Sequence, residues 1–392
     1  MIRSRCPADH DEARTRLRAA RHVGDPLADD LVAAFRGLPG GEGAALLDRA
    51  LAEGIDAVPG APAALRALLD DASRTPAWHD PALADAGATS FWRAGAPALV
   101  LSLTYGALAY GYQYADLSRP LAATGRLERM ASRRLGETSR WLLAVTTPGG
   151  MRPGASGWIL SVRVRVVHAL VRDRLRRSGT WDEPAWGVPI SAAGAAATAI
   201  AGFDVFPARA MADLGLRTTA AEREARSALW RWVAHVMGVP EGLLPEDHAA
   251  AVALADAIPE VLDGPDADGT RLMHALLRHG LPLEGMLPRR AVGPARALGA
   301  PVLAAVVRRW MDPGTADVLG VPRSPLGRLI PLVRPVSRAQ AAVLATGLLG
   351  DEGRVARAQI GALRRLLDAA GDPAAPVSPA ASQGPALHAS RA

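Results

Sequence analysis

The chain contains no lysine: all 45 of its basic residues are arginine. That excludes the Schiff-base lysine that pyridoxal phosphate needs, a phosphate-loop lysine and the ATP-pairing lysine of protein kinases. Cysteine occurs once, as Cys6, so intrachain disulfides, cysteine-based zinc sites and CxxCH haem attachment are excluded too. Phe and Tyr are scarce, four of each, and runs of Val, Ile, Thr and Tyr with period-two alternation are nearly absent. The 392 residues are dominated instead by Ala, Leu, Val and Arg, with nine Trp. Ala and Leu favour helix over strand, so the expected fold is all-α, a single large helical domain.

The net charge of +6 is spread along the chain with no zinc finger or other nucleic-acid module, and no nucleic-acid partner is expected. The first residues, MIRSRCPADHDEARTRLRAA, show neither an apolar stretch nor a twin-arginine signal, so the expected location is cytoplasmic. The longest uncharged run, Ala94–Ala115, carries Gly, Ser, Thr, Tyr and Gln. That content suits a buried helix better than a bilayer span, and no stable membrane insertion is expected.

Gly and Pro punctuate the chain into segments. Residues 1–74 read as a helical extension of short helices, 75–370 as the main helical body, and the Pro/Ala/Ser-rich 371–392 as a disordered tail. The breakers TPGGMRPGASG (147–157), WDEPAWGVPIS (181–191) and LDGPDADG (262–269) divide the body, with further helices expected at 270–280, 293–311 and 337–369.

Two consecutive helices carry the chemistry. In the first, around Leu127–Val145, Leu127, Ala131, Leu135, Thr138, Leu142 and Val145 fall on one stripe. Arg134 and Thr138 share that stripe, four residues apart, and Glu137 sits to one side of it. The second helix, about Gly157–Arg177, has a stripe of Leu160, Val164, Val167, Val171 and Leu175, with its arginines expected to point outward. One imidazole, His168, flanks the stripe between Val164 and Val171. The short loop predicts an antiparallel hairpin, which sets Thr138 and His168 at depths of about 12 and 16 Å. Arg134, Thr138 and His168 are therefore expected to converge on one pocket. A neutral imidazole there suits metal ligation. No second ligand stands at zinc or di-iron spacing, whereas a haem needs one proximal His. A hydrogen-bonded core histidine remains the plainer alternative.

RRLGETSRWLLAVTTPGGMRPGASGWILSVRVRVVHALVR (133–172) resembles the rubber-oxygenase/MpaB family, whose members include latex-clearing proteins. The likeness lies in an Arg-x-x-x-Thr helix followed by an R-x-x-H-A-x-V-R helix. It extends from TPAWHDPALADAG (75–87) through WGVPISAAGAAATAIAGFDVFPARAMADLGLRTTAAEREARSALWRWVAHVMGVPEGLLP (186–245) to GTADVLGVPRSPLGRLIPLVRP (314–335), covering about Thr75–Pro335. The resemblance implies a globin-like helical core around a non-covalent haem b. It makes His168 the axial ligand to iron, with Arg134, Thr138 and Arg172 lining the cofactor. His274, in a similar MHALLRHG context, and His235 are read as core or surface histidines.

The implied activity is that of a haem-dependent oxygenase or oxidase using dioxygen on a hydrophobic small molecule, with oxidative C=C cleavage of an isoprenoid-like substrate as the inherited reaction. Desaturation, cyclisation, peroxide-driven oxidation and a non-catalytic haem-binding protein stay open. One position departs from the latex cleavers: they carry a lysine directly before the pocket Thr, and here that residue is Glu137. The exchange reverses the local charge and points away from polyisoprene as substrate. It makes Glu137 a candidate acid/base group beside Arg134 and Thr138; the alternative is a surface ion pair with Arg133 or Arg140.

Overall fold

A computed structural model describes residues 7–123, 127–280, 288–346, 348 and 350–369. No strand occurs among them, as the composition predicts. The helices of eleven residues or more are α1 (Pro7–Ala20), α2 (Pro26–Arg36), α3 (Glu42–Glu53), α4 (Ala63–Ser73), α5 (Pro81–Phe91), α6 (Leu127–Val145), α7 (Ser156–Ser178), α8 (Ala220–Val236), α9 (Ala267–His279), α10 (Arg289–Trp310), α11 (Val333–Ala345) and α12 (Glu352–Ala369).

Local chemistry sets the ends. α2 and α5 begin with Asp-Pro: the Asp25 and Asp80 carboxylates accept from the N–H groups of Ala28 and of Ala82 and Leu83, and the proline takes a position where no donor is needed. Thr219 and Glu222 form a reciprocal capping box at the start of α8. The expected single helix over 337–369 is two, because Asp351 caps a new start by accepting from Arg354 N–H. The uncharged run at 94–115 holds a continuous helix whose α-helical start, Ala96–Leu101, widens to a π-helical stretch at Ser102–Leu108.

Tryptophan does the packing that few Phe and Tyr are available to do. Trp92, Trp141, Trp158, Trp230 and Trp232 are buried in one cluster with side chains of α2, α4, α5, α6, α7, α8 and α12. Each buried indole removes roughly 200 Å² from water, worth about 5 kcal/mol of transfer. Three of their N–H groups also tie down the segment joining α6 to α7 or its neighbours. Trp92 donates to Thr146 O at 3.0 Å, Trp232 to Met151 O at 2.9 Å and Trp158 to Ala72 O at 3.0 Å. The joining loop itself needs glycine, since a Cβ on Gly150 would lie 2.0 Å from Ala144 O. Gly87 serves the α5–α8 contact in the same way, with a Cβ there only 2.1 Å from Ala225 O.

Candidate functional site

The helices of the expected hairpin, α6 and α7, pack on one another. Their register is fixed by a bond from Trp141 Nε1 to Ser161 Oγ at 2.9 Å. Arg134 lies seven residues before Trp141 and His168 seven after Ser161. Seven residues are almost two turns, so each stands on the same face as its anchor, about 10 Å further from the loop. By helix rise alone this register puts Arg134 and His168 at a similar depth along the hairpin. The side chain of Arg134 lies outside the described residues.

The face that α7 buries differs from the one its apolar periodicity picks out. Trp158, Ser161, Val162, Arg165, Ala169 and Arg172 are buried, whereas Leu160, Val164, Val167 and Val171 are only half-buried. Two arginines expected to face water thus point inward. Arg165 donates from Nε to Asp25 Oδ2 at 2.6 Å and from Nη2 to Asp25 Oδ1 at 3.0 Å, and from Nη1 to Asp71 Oδ2 at 2.9 Å. Burial opposes its charge, and the two carboxylates outweigh that cost, so the guanidinium pKa rises. Arg172 donates to Asp29 Oδ1 at 2.8 Å and to the Ile190 carbonyl at 2.8 Å. Ile190 has φ 52°, the one positive φ on a non-glycine among the described residues. A β-branched residue there stores on the order of 1–3 kcal/mol of strain. The segment is held on both sides, by Val188 N–H on Arg21 O and Ala192 N–H on Val23 O.

His168 sits at the border of this buried polar face and the half-buried apolar stripe. Its pKa is lowered from 6.5 to about 4, first by burial and then by the Arg172 cation, with Asp25 pulling weakly the other way. The ring is neutral at physiological pH. Among the described residues neither ring nitrogen is engaged in a hydrogen bond; the side chains at 124–135 lie outside them. On α6, Leu142 and Val145 are buried as expected, but Thr138, on the same stripe, is exposed. Glu137 is half-buried. Thr138 stands one turn from Trp141, level with neither Arg134 nor His168.

The structure therefore presents an incompletely covered apolar stripe, a neutral imidazole at its edge and a carboxylate residue, Glu137, on the facing helix. No group of three or more His, Cys, Asp or Glu that could hold a bare metal ion occurs among the described residues. A porphyrin iron asks for something else, one nitrogen lone pair and apolar walls. The residues present fit that requirement. Two clefts of about 460 and 420 Å³ lie elsewhere, one by His79 and Trp232 and the other by Arg226 and Arg93; His168 lines neither. Of the two other histidines singled out in the sequence, His235 stacks on Trp232 at 5.2 Å with its Nε2 buried and unbonded among the described residues, and His274 Nε2 lies 3.3 Å from Gly320 O.

Sequence reasoning missed Asp25, Asp29 and Asp71, the carboxylates that fix the helix carrying His168. Their signal was the seven-residue interval between Arg165 and Arg172, which puts both on one face with His168, set against the acidic GDPLADD at 24–30.

The chain is similar to known proteins of one family. The profile of the family described as "ER-bound oxygenase mpaB/B'/Rubber oxygenase, catalytic domain" matches residues 87–346. A protein named Rubber oxygenase from Streptomyces sp. (strain K30) is 28% identical over 282 residues, 71% of this chain and 65% of that protein. The chain thus spans just under two thirds of that relative's length. A solved structure of latex clearing protein LCP in the closed state superposes with a TM-score of 0.60 at 24% identity, covering 87% of this chain and 91% of that one. The likeness in structure is one of fold.

Proposed function

The chain belongs to the mpaB/rubber-oxygenase family, and on that premise we propose that it is a haem b-dependent oxygenase acting with dioxygen on a hydrophobic, isoprenoid-like small molecule. The observation that carries the reading is the neutral imidazole of His168, without a protein partner among the described residues, at the edge of a half-buried apolar stripe. Haem, when bound, supplies the redox chemistry with dioxygen that no side chain of this protein offers.

The chain's own residues do the rest. His168 offers a ring nitrogen to the iron, and burial with the nearby Arg172 cation keeps it deprotonated. Arg165, through Asp25 and Asp71, and Arg172, through Asp29 and Ile190 O, stop α7 from turning about its axis, so the imidazole is aimed before any cofactor arrives. Leu160, Val164, Val167 and Val171 supply the apolar wall, which suits a greasy substrate and keeps water away. Glu137, with Arg134 and Thr138 on its helix, is assigned to proton transfer: its carboxylate takes a proton from substrate and gives it back to the product, with no net proton lost. One relative is named Rubber oxygenase; the carboxylate at position 137 favours a different, smaller substrate here.

Dioxygen consumption by haem-loaded protein with short isoprenoid alkenes tests the assignment. Wild type is expected to consume dioxygen with substrate, and Glu137→Gln to lose roughly a hundredfold in turnover with an unchanged haem spectrum. Full turnover in that variant removes the acid/base role, and no consumption by haem-loaded wild type with any alkene removes the oxygenase.

A further inference from the structure

We propose that the outward face formed by α10, the turns at Pro325–Leu332 and α11 docks flat on the surface of an anionic phospholipid bilayer. The proposal goes beyond the haem reading and does not depend on it.

The outward face of α11 carries Pro335, Val336, Ala339, Ala342 and Val343, all exposed. That of α10 carries Pro294, Ala297, Leu298, Pro301 and Val302, also exposed. Leu329 and Leu332 join the two, in turns that pack on α10 and on α11. Leu298 is 82%, Leu332 68% and Val336 67% exposed, and apolar side chains grouped on adjoining elements, unlike ones scattered singly, mark an interaction surface. The surface is not a loose end. Asp213 clamps it from below, accepting from Arg309 and from Arg334 Nη2 at 2.7 Å, and Ser337 and Ile330 are buried beneath it.

Charge identifies the occupant. α10 contains five arginines and no carboxylate, and the 33 residues from Val318 to Gly350 contain four arginines and no carboxylate. Arg328 and Arg338 are exposed and make no ion pair among the described residues. Apolar side chains fringed by unpaired arginines, with acids excluded, match an anionic lipid headgroup layer over hydrocarbon. A second copy of the chain would set the same arginines against each other. α10 is also the one described helix long and apolar enough to cross a membrane. Its last turns, however, are built into the domain: Ala304–Val307 are buried, and Arg308 and Arg309 are tied to Asp317 and Asp213. It lies along the interface and does not cross it. A hydrophobic substrate dissolved in lipid would be collected at such a surface.

Co-sedimentation of the full chain with vesicles tests the proposal, using phosphatidylcholine alone and phosphatidylcholine mixed with phosphatidylglycerol. Binding is expected only to the mixed vesicles, weakening as salt is raised. Leu298→Asp combined with Val336→Asp is expected to lower the partition about tenfold or more, with an unchanged melting midpoint since both side chains face solvent. Arg328→Glu with Arg338→Glu, which leaves the apolar residues in place, is expected to lower binding to the mixed vesicles by a similar factor. The proposal is overturned if wild type stays in the supernatant, or if both double variants bind as wild type does. Resistance to alkaline carbonate extraction overturns it in favour of a spanning helix. A wild-type dimer dispersed by Leu298→Asp/Val336→Asp, without vesicle binding, overturns it in favour of self-association.

Discussion

An imidazole drawn largely out of water and set beside a guanidinium favours its neutral state, and His168 is in that setting. Stability drawn from the neutral ring is fully present above the ordinary histidine value of 6.5 and is lost as pH falls through the depressed value near 4. Over that window the apo chain should lose roughly 3 kcal/mol on this account alone. Urea unfolding of wild type and His168→Gln at the two ends of the window checks it: the wild type should lose more stability than the variant by about that amount. Equal losses would mean the ring is not held neutral. The same depression bears on ligation, since an imidazole that protonates only near 4 keeps its lone pair through the mildly acidic range where an ordinary histidine would surrender it.

At the scale of elements, the hairpin was legible in the sequence and its orientation was not. Gly and Pro at 147–157 and the helical periodicity on either side marked α6 and α7 to within a residue or so of their observed ends. Which side of α7 faces inward was hidden, because a hydrophobicity pattern reads Arg165 and Arg172 as solvent-facing. They are buried because Asp25, Asp29 and Asp71, about 90–140 positions earlier, neutralise them. The mismatch is informative: the stripe that periodicity selected is the one left half-covered, beside the imidazole. Thr138 shares the stripe of Leu142 and Val145 in the pattern and is nonetheless exposed. Removing one partner of the buried cluster should be costly. Asp25→Ala leaves Arg165 with a single carboxylate and loses an N-cap, and is expected to destabilise the fold by about 3–5 kcal/mol, measured by denaturant titration. A loss below about 1 kcal/mol would show that the pair behaves like a surface one.

For the molecule as a whole, those three aspartates lie in the first 74 residues, a segment the sequence reads as an extension and the family match, beginning at residue 87, leaves out. Structurally it is continuous with the site. Leu31, Leu47, Leu65 and Leu68 are fully buried in the same cluster as Trp141, Trp158 and Trp230. A chain starting at residue 75 is therefore expected to be insoluble or unable to take up haem, because it exposes that cluster and frees Arg165 and Arg172. A soluble, haem-binding product from such a deletion would show that the extension is dispensable.

The central claim is that one nitrogen at position 168 holds the cofactor. Visible absorption of purified protein after reconstitution with haemin, wild type beside His168→Ala, tests it most directly. A Soret band in the wild type that is absent from the folded variant is the expected result. An equal band in both, or a wild type that stays colourless after reconstitution, would contradict it.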